Sequence, residues 1–336
     1  MKNLQIEGFR GILCLWIILF HYTTRYDQLF GHRASYPFNF DNGGECGVAA
    51  FLIITGFFIA ASLGRISGEN FINKANWIGK KMTRLYPTYW CSLTLTFISL
   101  SLWPLHNIEV GWKEYIVNML FIYHPGVDFI DAAHWYVSAI FIGYCYFSII
   151  NMFPINKRNT FIGVTMFLLF AIWIYCENEF IYYEFIKKIQ SVLYLKYISF
   201  MIVGYLWFNF QKRFVRNLKI FILFFLVCLV SIIMFANWRI FIIVIISCLL
   251  LSGVTIKMKV VTVIFCNAIV QRLGFVSYSW YLIHQRIGYQ IINAIEIKSG
   301  NEIVLMLPLL VTFILAFIIS KYLEPYLFNK IQSIWR

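Results

Sequence analysis

Four clusters of ionisable or hydroxyl-bearing residues interrupt an otherwise apolar chain, and any chemistry has to reside there. The first pairs Arg10 with His21. Eleven residues at ~100° each return to within about 20° of the same helical face, ~16 Å further along the axis. One face would then carry a cation at a membrane interface and, deep in the span, an imidazole, the side chain that exchanges protons near neutrality. The same pair also suits a plainer role, with Arg10 extending to lipid phosphates and His21 hydrogen-bonded to a neighbouring helix.

The second cluster, Lys80-Lys81-Met82-Thr83-Arg84-Leu85-Tyr86-Pro87, puts Lys81 and Arg84 three apart on one helical side. Paired cations there suit an anionic, phosphate-bearing ligand, or equally a cytoplasmic membrane anchor. The third, Gly47 to Phe58, combines small residues with Thr55 and reads as close helix packing. In the fourth, Ser277, Trp280, Tyr281 and His284 recur at i, i+3, i+4 and i+7, with Arg286 nearby. A second intramembrane histidine is harder to explain by packing alone. His134-Trp135-Tyr136 suits either an interfacial aromatic belt or an acceptor site, whereas His32, His106 and His124 read as solvated.

These residues must be positioned by membrane helices. Of 336 residues, 61% are hydrophobic and 13% charged, and mean hydropathy is +0.74. Soluble domains are about 45–50% apolar and about 25% charged, so this composition excludes a cytosolic enzyme, a secreted disulfide scaffold and a disordered regulator. Apolar runs of roughly 18–22 residues, enough to cross ~30 Å of hydrocarbon, fall at 9–26, 45–63, 85–104, 134–153, 160–177, 192–210, 218–236, 238–256, 274–295 and 303–323. The expected fold is all-α, a polytopic bundle of about ten transmembrane helices forming one domain over 1–336. The stretch 105–133 is too polar for lipid and is expected to form a lid or re-entrant element. Asp128 and Asp131 belong to it.

The formal charge of +13 does not indicate nucleic acid, because the cations come in short clusters between spans and not as one stripe. With the N-terminus cytoplasmic, nineteen of the 28 Lys and Arg fall on the inner side, which fits an even number of spans with both termini inside. The eight cysteines include no C-x-x-C pair and read as packing residues, not metal ligands.

Taken in order, Arg10-Gly11…His21, the Gly47-to-Phe58 stretch, Lys81-x-x-Arg84-x-Tyr86-Pro87-x-Tyr89, His134-Trp135, Ser277 to His284 and Glu324-Pro325 resemble the acyltransferase 3 family of integral membrane acyltransferases. The likeness covers nearly the whole chain. It implies ten core helices and transfer of an acyl group, usually acetyl from acetyl-CoA, to hydroxyls of a cell-envelope polysaccharide or lipid-linked glycan. The implied location is the bacterial inner membrane, in contact with membrane lipid and with no metal or nucleic-acid partner. Lys81 stands where the family commonly has Arg, a point charge in place of a planar fork. Thr55 replaces the usual Ser, and Ile140 occupies the position where many members carry Glu.

On this reading Arg10, Lys81 and Arg84 hold the coenzyme phosphates. His21, with His284, supplies the proton chemistry as general base or, alternatively, through an acyl-imidazole. His134, Trp135 and Tyr281 face the acceptor. The competing reading is a transporter or flippase for a lipid-linked glycan with His21 and His284 as proton relays. The lack of inverted repeats and of intramembrane carboxylates argues mildly against it.

Overall fold

A computed structural model describes residues 3–31, 40, 43–66, 70–105, 108, 110–120, 127–177, 193–213, 218–235, 237–299 and 306–334. His32, His106 and His124 lie outside them. Every regular element among the described residues is helical. In chain order these are α1 (Leu4–Phe20), a π-helical turn (His21–Arg25), α2 (Tyr26–Phe30), α3 (Gly43–Leu63), α4 (Phe71–Leu102), α5 (Trp112–Met119), a 3-10 turn (Ala132–His134) and α6 (Trp135–Ile150). There follow α7 (Ile155–Glu177), α8 (Leu195–Arg213), α9 (Leu218–Phe235), α10 (Trp238–Thr255), α11 (Lys259–Phe265), α12 (Ala268–Ser299), α13 (Met306–Ile318), a second π-helical turn (Ile319–Leu323) and α14 (Glu324–Ile334).

Among the described residues, six helices are long and apolar enough to cross a membrane, and seven if α11 and α12, bent by 70° at their junction, count as one span. The count of about ten is therefore not confirmed. The spans expected at 85–104, 192–210 and 218–236 do form helices, α4, α8 and α9. Hydroxyls and Pro87 dilute α4 along its length, and α8 ends in Gln211-Lys212-Arg213.

The chain divides into two compact units. The first comprises Met1–Gly47, Lys81–Tyr136 and Lys257–Arg336. Its backbone is the pairing of α1 with α12, which packs in turn on α13. Glycines make the first pairing close. A Cβ at Gly8 would strike the Phe265 carbonyl, and one at Gly11 would meet Gly274 N and, at 2.8 Å, Leu273 Cβ. The contacts advance in step along both helices, with Gly11 on Gly274, Cys14 Sγ donating to Ser277 O, and Tyr22 against Gly288. The two helices thus run parallel, and residues of like depth on α1 and α12 are neighbours. Gly11→Leu should lower stability by about 1–3 kcal/mol through overpacking. Thermal unfolding in detergent measures this, and an unchanged midpoint would contradict the close contact.

The second unit comprises Val48–Lys80 and Val137–Ile256. Gly56 and Gly204 let α3 and α8 cross backbone to backbone, since a Cβ on either would collide with a carbonyl of the other helix. The expectation of close packing for the Gly47-to-Phe58 stretch is met there. Thr55 Oγ1 donates at 2.8 Å to Phe51 O of its own helix. Helix α9 packs on α7, α8 and α10. Arg158 donates to the carbonyls of Phe153 and Asn151 and to Asn151 Oδ1, satisfying acceptors left open beyond the end of α6.

Candidate active site

Polar side chains from several elements converge inside the first unit. His21 ends the regular turns of α1 and opens the π-helical turn, a local widening that recurs at functional positions. Parallel packing puts it level with His284 of α12, and the two rings lie 5.0 Å apart, centroid to centroid, at 63°.

Their surroundings differ. His284 is fully buried. Its Nδ1 lies 2.6 Å from the Tyr281 carbonyl, which can only accept, so Nδ1 carries the proton and the lone pair is on Nε2. That Nε2 is buried and has no hydrogen-bond partner. His21 is half-buried, with Nδ1 3.1 Å from Tyr289 Oη, and the Tyr289 hydroxyl accepts from Gln285 Nε2 at 3.4 Å. An imidazole oriented at one nitrogen and reachable from outside the packed core is the arrangement a general base needs.

Three side chains from other elements grip the α12 backbone around His284. Tyr22 Oη donates to the His284 carbonyl at 2.8 Å, its ring seated in the space left by Gly288. His134 Nε2 donates to Leu282 O at 3.0 Å. Asp131 Oδ2 accepts from the Arg286 amide at 3.1 Å, while Oδ1 accepts from Ala133 N at 2.9 Å. Residues 282, 284 and 286 are thereby held from outside the helix, with His284 at the centre.

Asp131 lies in the polar stretch expected to form a lid or re-entrant element, and it is wholly buried. The reason is Asn118 of α5, itself buried. Its side chain donates to Asp128 O and accepts from Ile130 N, while Tyr89 Oη and Trp90 Nε1 donate to the carbonyls of Asn118 and Met119. The described part of the expected lid is thus pinned to α4 and delivers Asp131 and His134 to α12.

The expected acceptor residues are close together. Trp135 packs edge-on against Tyr136, Tyr136 against Tyr281, and Tyr281 lies 5.6 Å from the His284 ring. His134 is fully buried and, through Leu282, acts on the placement of α12; its Nδ1 has no partner. The rest of the expected polar face on α12 is used for packing, since Ser277 bonds Gly274 O and Trp280 Nε1 donates to Thr312 on α13. Of the expected phosphate ligands, Arg10 and Lys81 are half-buried and Arg84 is exposed. Tyr278 Oη donates to Leu85 O at 3.2 Å, tying the α4 segment that bears Arg84 to α12. Among the described residues no group of His, Cys, Asp and Glu could hold a metal ion.

Sequence reasoning missed Tyr22, Tyr289, Gln285 and Asp131. Position held one signal, because Tyr289 follows His284 by five residues and Asp131 precedes His134 by three.

The model of the acyltransferase 3 family, described as an acyltransferase domain, matches residues 3–323. No curated protein and no solved structure matches the chain.

Proposed function

The chain belongs to the acyltransferase 3 family, and from that premise we propose that this membrane acyltransferase moves an acetyl group from cytoplasmic acetyl-CoA to a hydroxyl of a cell-envelope glycan. The observation that carries the reading is the pairing of His21 with His284 inside the bundle, on a helix whose same face bears Arg10 ~16 Å away. A donor with phosphates at one surface and an acetyl group at the end of a long flexible arm suits that separation.

In the proposed reaction Arg10, Lys81 and Arg84 hold the coenzyme phosphates, and the thioester reaches His21. With its Nδ1–H directed to Tyr289 Oη, His21 offers the Nε2 lone pair to the acceptor hydroxyl. As that proton moves to Nε2, the hydroxyl oxygen attacks the acetyl carbon, a C–O bond forms, and the C–S bond breaks. The departing thiolate takes a proton from the imidazolium. His284 Nε2, beside it and without a protein partner, relays the proton. Tyr281, Trp135 and His134 line the acceptor side. The cation distribution supports cytoplasmic termini, and likeness to the family supports the bacterial inner membrane as the location.

Mass comparison of envelope glycans from cells with and without the gene tests the reading. An alkali-labile acetyl ester present only with the gene supports it, and an unmodified glycan moved across the membrane would point to transport instead. Arg84→Ala should raise the KM for acetyl-CoA by about tenfold, the loss of one charge-assisted phosphate contact, with kcat little changed. Steady-state kinetics checks this, and an unaltered KM would remove Arg84 from the phosphate site.

A further inference from the structure

The transfer chemistry leaves one intramembrane cation unused. Arg286 lies on α12, which runs Ala268–Ser299 over 32 residues, ~27 Å from the first residue and ~20 Å from the last. A cation at such depth is costly unless paired, and it marks function by default. Its backbone amide is committed to Asp131, but its guanidinium has no acceptor among the described residues, and Nε is buried without a partner. Asp131 accepts from the Ala133 and Arg286 amides and makes no ion pair with the Arg286 guanidinium among the described residues. Arg25, the last residue of the π-helical turn, is exposed and donates to Gln28 Oε1 at 3.1 Å, with no carboxylate among the described residues. Arg25 follows His21 by four residues and Arg286 follows His284 by two, so both flank the paired histidines, with the Asp131 carboxylate held at the Arg286 amide.

Two cations beside a base oppose the imidazolium through which it must pass. An anion bound to both would relieve that repulsion and receive charge-assisted hydrogen bonds. We propose that Arg25 and Arg286 form a subsite for an anionic group, a carboxylate or phosphate, carried by the acceptor glycan next to the hydroxyl that is acetylated. The inference rests on the reading of His21 as the base. It makes the acceptor an acidic glycan, anchored and charge-matched at the same point.

The experiment measures equilibrium binding of a glucuronate disaccharide and of its carboxyl-reduced counterpart to the full chain. The chain is reconstituted in vesicles of phosphatidylcholine alone or with phosphatidylglycerol. The unaltered protein should bind the acidic sugar more tightly than the reduced one. Arg286→Gln should weaken binding of the acidic sugar by about ten- to a hundredfold and leave the reduced sugar unaffected, as expected for one lost charge-assisted contact. Arg286→Lys should retain part of the preference. Equal affinity of the unaltered protein for the two sugars would overturn the proposal even if every variant misfolded. Equal weakening of both sugars by Arg286→Gln would assign the arginine to structure. A preference abolished by phosphatidylglycerol would assign it to lipid headgroups. Binding is read without acetyl-CoA, so it stands apart from the base assignment, which acetyl transfer by His21→Ala tests separately.

Discussion

In the proposed reaction His21→Ala is expected to lower kcat for acetyl transfer by about two to four orders of magnitude, with membrane insertion and coenzyme binding retained. The size follows from the worth of a positioned general base, about 10²–10⁴ in rate. The selectivity follows from the contacts. His21 is half-buried and its side chain bonds Tyr289, which keeps Gln285 as a partner after the change. Losing one such hydrogen bond costs about 1 kcal/mol, too little to unfold a helix bundle. His284 does not substitute, because its ring is wholly enclosed and tied to the Tyr281 carbonyl. Labelled acetyl transfer and acetyl-CoA binding, measured on the same preparation, separate chemistry from folding. Turnover at the unaltered rate would discard the catalytic assignment.

Asp131→Ala is expected to have the largest structural consequence. Its carboxylate accepts from the amides of Ala133 and Arg286, both in water-excluded surroundings. Removing the acceptor leaves the buried Ala133 amide unsatisfied, a loss of about 1–3 kcal/mol, and frees the Arg286 segment of α12 from its outside contact. The Arg286 amide lies two residues beyond His284, so transfer should fall together with stability. Asp131→Asn keeps an oxygen for one amide and should sit between the two. Thermal unfolding in detergent and acetyl transfer, measured side by side, check the pair of effects. An alanine variant as stable and as active as the parent would remove Asp131 from the support of the site.

The all-helical class was legible because lipid leaves no other spanning solution for a chain so apolar with no barrel alternation. Spans such as α3 and α10 show plainly as uninterrupted apolar runs. Helices α4, α8 and α9 were legible as helices, and the ten-span reading gave the hydroxyl-rich α4 the same weight as fully apolar runs. Within the site, periodicity correctly set His284 beside Tyr281 on α12. It carried no information about which helices are neighbours, so the His21–His284 contact was not derivable. Gly11 and Gly274 hold that information only jointly, since a glycine marks close approach without naming the partner. Asp131 was not singled out for a different reason. A polar stretch over the mouth does not say which of its carboxylates is buried, and the pinning of that stretch through Asn118 to α4 and the α5 carbonyls turns this one inward.

The central claim is that acetyl groups pass from a donor on one side of the membrane to a glycan hydroxyl on the other by way of His21. The direct measurement uses sealed vesicles containing the reconstituted protein, with acetyl-labelled coenzyme A supplied only at the face that carries Arg84 and glycan only at the opposite face. The account predicts label on the glycan as an alkali-labile ester with the unaltered protein and none with His21→Ala. Labelled ester formed equally by both proteins, or glycan carried across without any ester, would contradict it.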